Sequence, residues 1–178
     1  MKLSVFGVAD QKIALKHLAS LAEKSTVHPL VRETAALEIA ECADRDDLCE
    51  IESIFNAVKY GGHSKPLRNG LKYVADPRWA DHFTAPSRIL EQLSRGVNMG
   101  DCDDQAMLLM ALLGAIGFKT GARAWGRKKG SYSHVYAVVA YPKRIGRNPS
   151  VLGLDTTVKE SHVGWEPPDG FTLTAWIE

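Results

Sequence analysis

The sequence predicts an α+β fold, with helices first and antiparallel strands after. Three patterns carry this expectation. Apolar residues recur at helical spacing through three early segments and again, nearly all round the helix, after Cys102. β-branched and aromatic residues gather in short runs from Thr120 onward, and Gly, Pro and Asp mark the boundaries between segments. The 178 residues suffice for one domain with a real core and at most a small helical annex. The division expected is an N-terminal helical region, 1–62, packed on a core of 63–178, or one continuous domain.

In chain order, Asp10 can cap a first helix over residues 11 to about 24, whose apolar stripe is Ile13, Leu15, Leu18, Leu21 and Ala22. Pro29 suits the first turn of a second helix through Val31, Ala35, Leu37, Ile39 and Ala40. Asp46 and Asp47 suit the start of a third, carrying Leu48, Ile51, Ile54, Phe55 and Val58 and ending at Gly61-Gly62. Residues 71–74 read as a short strand ended by Asp76-Pro77, and Pro86-Ser87 opens a helix closed by Gly96. The segment from Cys102 through Ile116 is apolar nearly all round, which predicts a helix buried at the centre of the domain, with Gly117 as its stop. Strands are expected over 120–126, 132–141 and 151–157, separated by the polar turn 127–130 and the loop 142–150. The tail, with Trp165, Pro167-Pro168 and Trp176, is the least readable part of the chain.

Composition excludes several classes. Hydrophobic residues at 45% and charged residues at 24% are ordinary for a globular chain, and a formal charge of +1 gives no global attraction to nucleic acid or acidic membrane. The first nine residues fall short of a secretory signal, and no run approaches the ~18 apolar residues needed to span a bilayer. The expectation is synthesis in a cytoplasm, without membrane or nucleic-acid partners, leaving open a site of action within a complex or particle. Cys42, Cys49 and Cys102 are too few for a disulfide framework. Cys42 and Cys49, seven apart, read as small buried hydrophobes on one helix face. The acidic run over 38–52 reads as a solvated helix face.

Chemistry concentrates in three places. In Gly100-Asp101-Cys102-Asp103-Asp104 the Cys sits at the first turn of the most buried helix. Unpaired N–H groups there favour thiolate and can face an oxyanion, although three aspartates would oppose this if they pointed at the sulfur. His134 lies on an apolar strand, and Asp155, in Leu154-Asp155-Thr156-Thr157, needs a hydrogen-bonding partner if buried. An antiparallel register pairing 134 with 155 and 141 with 148, around a loop centred near Ile145, brings His and Asp directly opposite. A Cys beside a His oriented by an Asp is the arrangement thiolate catalysis requires.

With these residues in place, a resemblance can be named. Gly100-Asp101-Cys102, followed by the apolar run from Ala106 to Phe118, resembles the nucleophile helix of transglutaminase-like proteins. Ser133-His134-Val135-Tyr136 is similar to their His-x-aromatic strand, and Leu154-Asp155-Thr156-Thr157 to their Asp-x-Thr strand. With Tyr73-Val74-x-Asp76-Pro77 upstream, the match covers roughly residues 71–157 and looks like the small bacterial and phage or prophage members. The resemblance implies a papain-like α+β fold with no cofactor, and acyl transfer on amides through a Cys thioester. Cys102 is then the nucleophile, His134 the base and then acid, and Asp155 the orienting group. The implied substrate is a protein or peptidoglycan peptide, resolved by water (peptidase or amidase) or by an amine (transglutaminase), hydrolysis being the leaning. The alternative is a catalytically silent fold that binds other virion or assembly proteins.

No motif fixes the oxyanion side chain, for which Gln92, Trp79 and Gln105 are candidates. Trp125, Trp165 and Tyr136 are candidates to line the substrate cleft, core packing being the competing account for the two tryptophans. Arg123, Arg127, Lys128, Lys129, Lys143, Arg144 and Arg147 read as solvated turns, or as contacts to an anionic substrate. His162 lacks a strand pattern and an Asp partner. A zinc site at Cys102, His134 and Asp155 is disfavoured by the absence of closely spaced ligand pairs.

Overall fold

The structure, a computed structural model, describes residues 8–74, 83–143 and 149–177, with side chains from Gln11 onward. The expectations placed on Asp76-Pro77, Trp79, Arg144, Ile145 and Arg147 lie outside the described residues. The architecture is α+β. Three helices come first: α1 (Val8–Ser25), α2 (Pro29–Glu38) and α3 (Asp47–Tyr60). Helix α1 already includes Asp10, which therefore does not cap it. Helix α2 starts at Pro29 as expected, with His28 Nδ1 accepting from the Leu30 N–H, and Asp46 caps α3 by accepting from the Cys49 N–H at 3.1 Å. Gly61 ends α3 at φ +117°, and a Cβ there would lie 2.5 Å from the Arg68 carbonyl oxygen, so only glycine fits.

Strand β1 (Lys72–Tyr73) pairs in parallel with β2 (Met99–Gly100), a two-residue strand without a sequence signal of its own. Between them runs α4 (Pro86–Ser94). Helix α5 (Cys102–Ala115) follows directly on β2 and packs against β3 (Thr120–Gly126) and β4 (His134–Tyr141) as well as against α1, α2, α3 and α4. The side chains of the seven consecutive residues 107–113 are fully buried, which explains the all-round apolar pattern. Full burial of each such Leu or Met is worth roughly 1.5–3 kcal/mol relative to exposure. One apolar cluster runs from Leu15 on α1 through Leu154 on β5 (Ser150–Leu154), so the helical region and the sheet share a core.

The four-stranded sheet is antiparallel throughout, in the order β5-β4-β3-β6, with β6 (Phe171–Trp176) in the tail, the least readable part of the sequence. Strand β5 ends at Leu154, before Asp155. The β4–β5 register pairs Tyr141 with Ser150 and Ala137 with Leu154, two residues away from the register expected. Side chains alternate faces with a period of two, so an even slip keeps 134 and 155 on one face, diagonal rather than opposed. No helix among the described residues is long and apolar enough to cross a membrane.

Two expectations on the helical region are corrected. Cys42 lies in the connection after α2 rather than on a shared helix face, which lets the chain fold back and join it to Cys49 in a disulfide. The acidic run is also only partly a solvated face. Glu38 is buried and accepts from the N–H groups of His63 and Ser64, both at 2.8 Å. Asp47 accepts from the Lys143 N–H and Glu50 from its ammonium, each at 2.6 Å, tying α3 to the end of β4; Lys143 is thus no freely solvated loop residue.

Candidate active site

Cys102 occupies the first position of α5. Strand β2 delivers the chain to it: the Gly100 carbonyl accepts from the Val74 N–H at 3.0 Å and from Gln105 Nε2 at 3.4 Å. Asp101 is the N-cap, and its buried carboxylate accepts from the N–H groups of Asp103 and Asp104. The aspartate preceding Cys102 thus spends its charge on the helix terminus. Asp104 accepts from the Thr84 N–H at 3.3 Å. The N–H of Cys102 lies at the first position of α5, where the helix itself supplies no acceptor for it.

His134 begins β4, and its Nε2 meets Asp155 Oδ2 at 2.6 Å. Cys102 lies near enough to the same ring to affect its titration. Burial of the ring opposes its charge. The hydrogen bond to Asp155, with the proximity of Cys102, outweighs that, and the imidazole pKa is pushed up to about 9. Asp155 is itself buried, which disfavours its ionised form, yet the hydrogen bond and charge of His134 hold its carboxyl below the usual range. Thr157 adds two bonds to Oδ1, from its N–H at 3.0 Å and its hydroxyl at 2.7 Å. Cys102, His134 and Asp155 are therefore brought together, with the His oriented by the Asp and the Cys beside the ring, the grouping that thiol-based nucleophilic chemistry requires.

The other candidates divide. Trp125 stands directly opposite His134 in the β3–β4 ladder, and together with Trp165 it lines a groove of about 580 Å³ that also includes Arg127, His134, Val158, Pro167, Pro168 and Asp169. Tyr136 is corrected: it is buried, its ring stacks beside that of His134 with centroids 6.0 Å apart, and its hydroxyl donates to Glu166. Burial first, and the Glu166 carboxylate next, push its pKa upward. It backs the His134 ring rather than lining the groove. Gln105 is buried, with Nε2 donating to the Gly100 carbonyl at 3.4 Å and Oε1 accepting from the Thr156 hydroxyl at 2.7 Å, so its amide tethers α5 to both segments. Gln92 is half-buried near the end of α4, which contributes no residue to the groove. Trp79 lies outside the described residues. His162 is exposed on a turn, its carbonyl accepting from the Trp165 N–H.

Two contributors carried no sequence signal. Glu166 accepts from Tyr136 and, at 2.6 Å, from Arg123 Nη1, while Arg123 Nε donates to Thr174 at 3.0 Å. Arg123 is thus an internal partner rather than a solvated or substrate-facing cation. Gly153 makes room for this crossing, since a Cβ there would lie 2.4 Å from the Trp165 carbonyl oxygen. Lys59, from α3, reaches the turn that follows Asp155. No protein-family model, curated protein or solved structure matches the chain.

Proposed function

We propose that this chain is a thiol-dependent acyl-transfer enzyme on amide bonds, with a papain- or transglutaminase-like arrangement of Cys102, His134 and Asp155. The observation that carries the reading is the grouping itself: Asp155 holds one nitrogen of His134 at 2.6 Å, and a cysteine at a helix N-terminus lies near enough to the same ring to affect its titration. The Cys102 sulfur attacks the amide carbonyl carbon, and the carbonyl π pair moves to oxygen, facing the Cys102 N–H. Collapse of this adduct breaks the C–N bond as His134 gives its proton to the departing nitrogen. A thioester and a neutral imidazole remain. Water or an amine then loses a proton to His134 while attacking the thioester, and sulfur leaves as thiolate, restoring the starting pair.

The groove lies on the His134 side, where the amine leaves and the acceptor arrives. Its Trp125, Trp165, Pro167 and Pro168 surfaces favour an apolar or aromatic residue on that part of a peptide, with Arg127 and Asp169 offering one charge of each sign. Protein and peptidoglycan peptides both meet that description.

Burial favours a second reading. Cys102 is only 3% exposed, as expected of a silent fold retained for binding in a virion or other assembly. Iodoacetamide treatment of the native protein, read by peptide mass spectrometry, separates the two. An active site gives selective, fast alkylation at Cys102 that His134→Ala slows at least tenfold. Alkylation no faster than that of a free thiol, unaffected by His134→Ala, sinks the enzymatic reading.

A further inference from the structure

Lys59 stands in the last turn of α3, in the helical region that no sequence motif ties to chemistry. Its ammonium donates to the carbonyl oxygens of Val158 at 2.8 Å, Lys159 at 3.2 Å and Ser161 at 2.6 Å, and to the Ser161 hydroxyl oxygen at 2.8 Å. The rings of Phe55 and Tyr60 lie 5.4 and 5.2 Å from it. Among the described residues no carboxylate pairs with it, so its charge is met by carbonyl dipoles and ring faces. Three carbonyls of one short turn aimed at a single point repel one another unless a cation sits between them. That turn begins at Asp155. The Ser161 hydroxyl, held by Lys59, donates in turn to the backbone carbonyl of Asp155. Val158, whose carbonyl Lys59 also holds, lines the groove beside His134.

We propose that Lys59 is a positioning residue for the orienting carboxylate: its ammonium gathers the 158–161 turn through Val158, Lys159 and Ser161 and so fixes Asp155 against His134. The inference rests on the reading of His134 and Asp155 as a catalytic pair, and it gives the N-terminal helices a role in the chemistry. A compact ammonium with three tetrahedral donors suits such a cage, whereas a planar guanidinium does not, so Lys59→Arg is not a conservative change here.

The test is an NMR titration of the His134 ring in Lys59→Ala, which removes three methylene carbons and the ammonium. The groups facing that ring are Asp155, Cys102 and Tyr136, with Arg127 and Asp169 across the groove. All five remain in the variant. Loss of Asp155 from its place lowers the His134 midpoint by about one pH unit or more, and millimolar n-propylammonium restores it while tetramethylammonium at equal ionic strength does not. A midpoint equal to wild type in folded Lys59→Ala overturns the proposal, as does equal rescue by both cations. Should Lys59→Ala fail to fold, Ser161→Ala removes the hydroxyl link alone: a smaller fall in the same direction supports the proposal, and an unchanged midpoint overturns it. The titration does not depend on turnover, so an inert Cys102 defeats the proposed function without deciding the role of Lys59.

Discussion

Gln105 and Thr156 are joined by a buried 2.7 Å hydrogen bond that links α5, the helix that starts at Cys102, directly to the residue after Asp155. The other end of the Gln105 amide holds the Gly100 carbonyl. The spacing of Cys102 and Asp155 is thus fixed by a contact that bypasses His134. Gln105→Leu leaves the Thr156 hydroxyl buried without its acceptor, at a cost of about 1–3 kcal/mol in unfolding free energy. Adding Thr156→Val recovers part of that loss, because both polar groups are then gone. Urea unfolding of the two single variants and the double variant measures the coupling, and strictly additive losses would show that the bond contributes nothing.

Asp155→Asn keeps the shape of the relay and removes its charge. The carboxylate is a leading cause of the raised His134 pKa, so the midpoint should fall from about 9 toward 6.5. The amide can also hold the ring in the wrong tautomer, and turnover of any amide substrate should fall by about 10²–10⁴. Ring titration and steady-state kinetics on the same variant check both. A wild-type midpoint would remove Asp155 from the relay.

The same pair makes stability depend on pH in two directions. His134 has its pKa raised on folding, so its contribution is complete below 6.5 and is lost as pH rises through about 9. Asp155 has its pKa lowered, so its contribution is complete above 3.8 and is lost as pH falls through its folded value. Urea midpoints of the wild type should therefore form a plateau that declines on both sides. In Asp155→Asn the decline flattens on both flanks, since each member of the pair owes its shift to the other. Parallel curves for the two proteins would contradict this.

What was legible in the sequence is what local patterns encode. The all-round apolar run places Cys102 on a central helix, and the strand signatures around His134 and before Asp155 put both on one sheet face. The register was missed by two residues because pairing depends on the turn between 142 and 150, whereas facing depends only on parity. Side chains whose role is set by distant partners left no trace. Gln105 is one of three oxyanion candidates that no motif singles out, and its bonds to Thr156 and Gly100 are set by chain segments distant in sequence. Lys59 and Glu166 look like surface charges until the chain folds onto them. The Cys42–Cys49 disulfide was hidden by the continuity of the helical pattern, which breaks before Cys42. Strand β6 carries the alternation Phe171-Thr172-Leu173-Thr174-Ala175, but it is a short, half-exposed sheet edge set after the Pro167-Pro168 segment, and pairing with β3 rather than a neighbouring strand in sequence makes it a strand.

The groove wall can be tested apart from the relay. Trp165 is carried on a segment pinned by Glu166, which accepts from Tyr136 and Arg123, and it packs over Gly153 where no side chain would fit. Removing the indole by Trp165→Ala takes apolar surface from the groove while leaving Cys102, His134 and Asp155 with all their hydrogen bonds. Iodoacetamide is too small to use the groove, so its rate of Cys102 alkylation should stay within about twofold of wild type. A peptide that fills the groove should instead lose about 10–100-fold in kcat/KM, the equivalent of roughly 1.4–2.7 kcal/mol of lost contact. The loss should appear mainly in KM, because the indole binds ground and transition states alike. A parallel fall in alkylation would mean that Trp165 supports the relay itself, and no change in either rate would mean that substrate approaches Cys102 from another side.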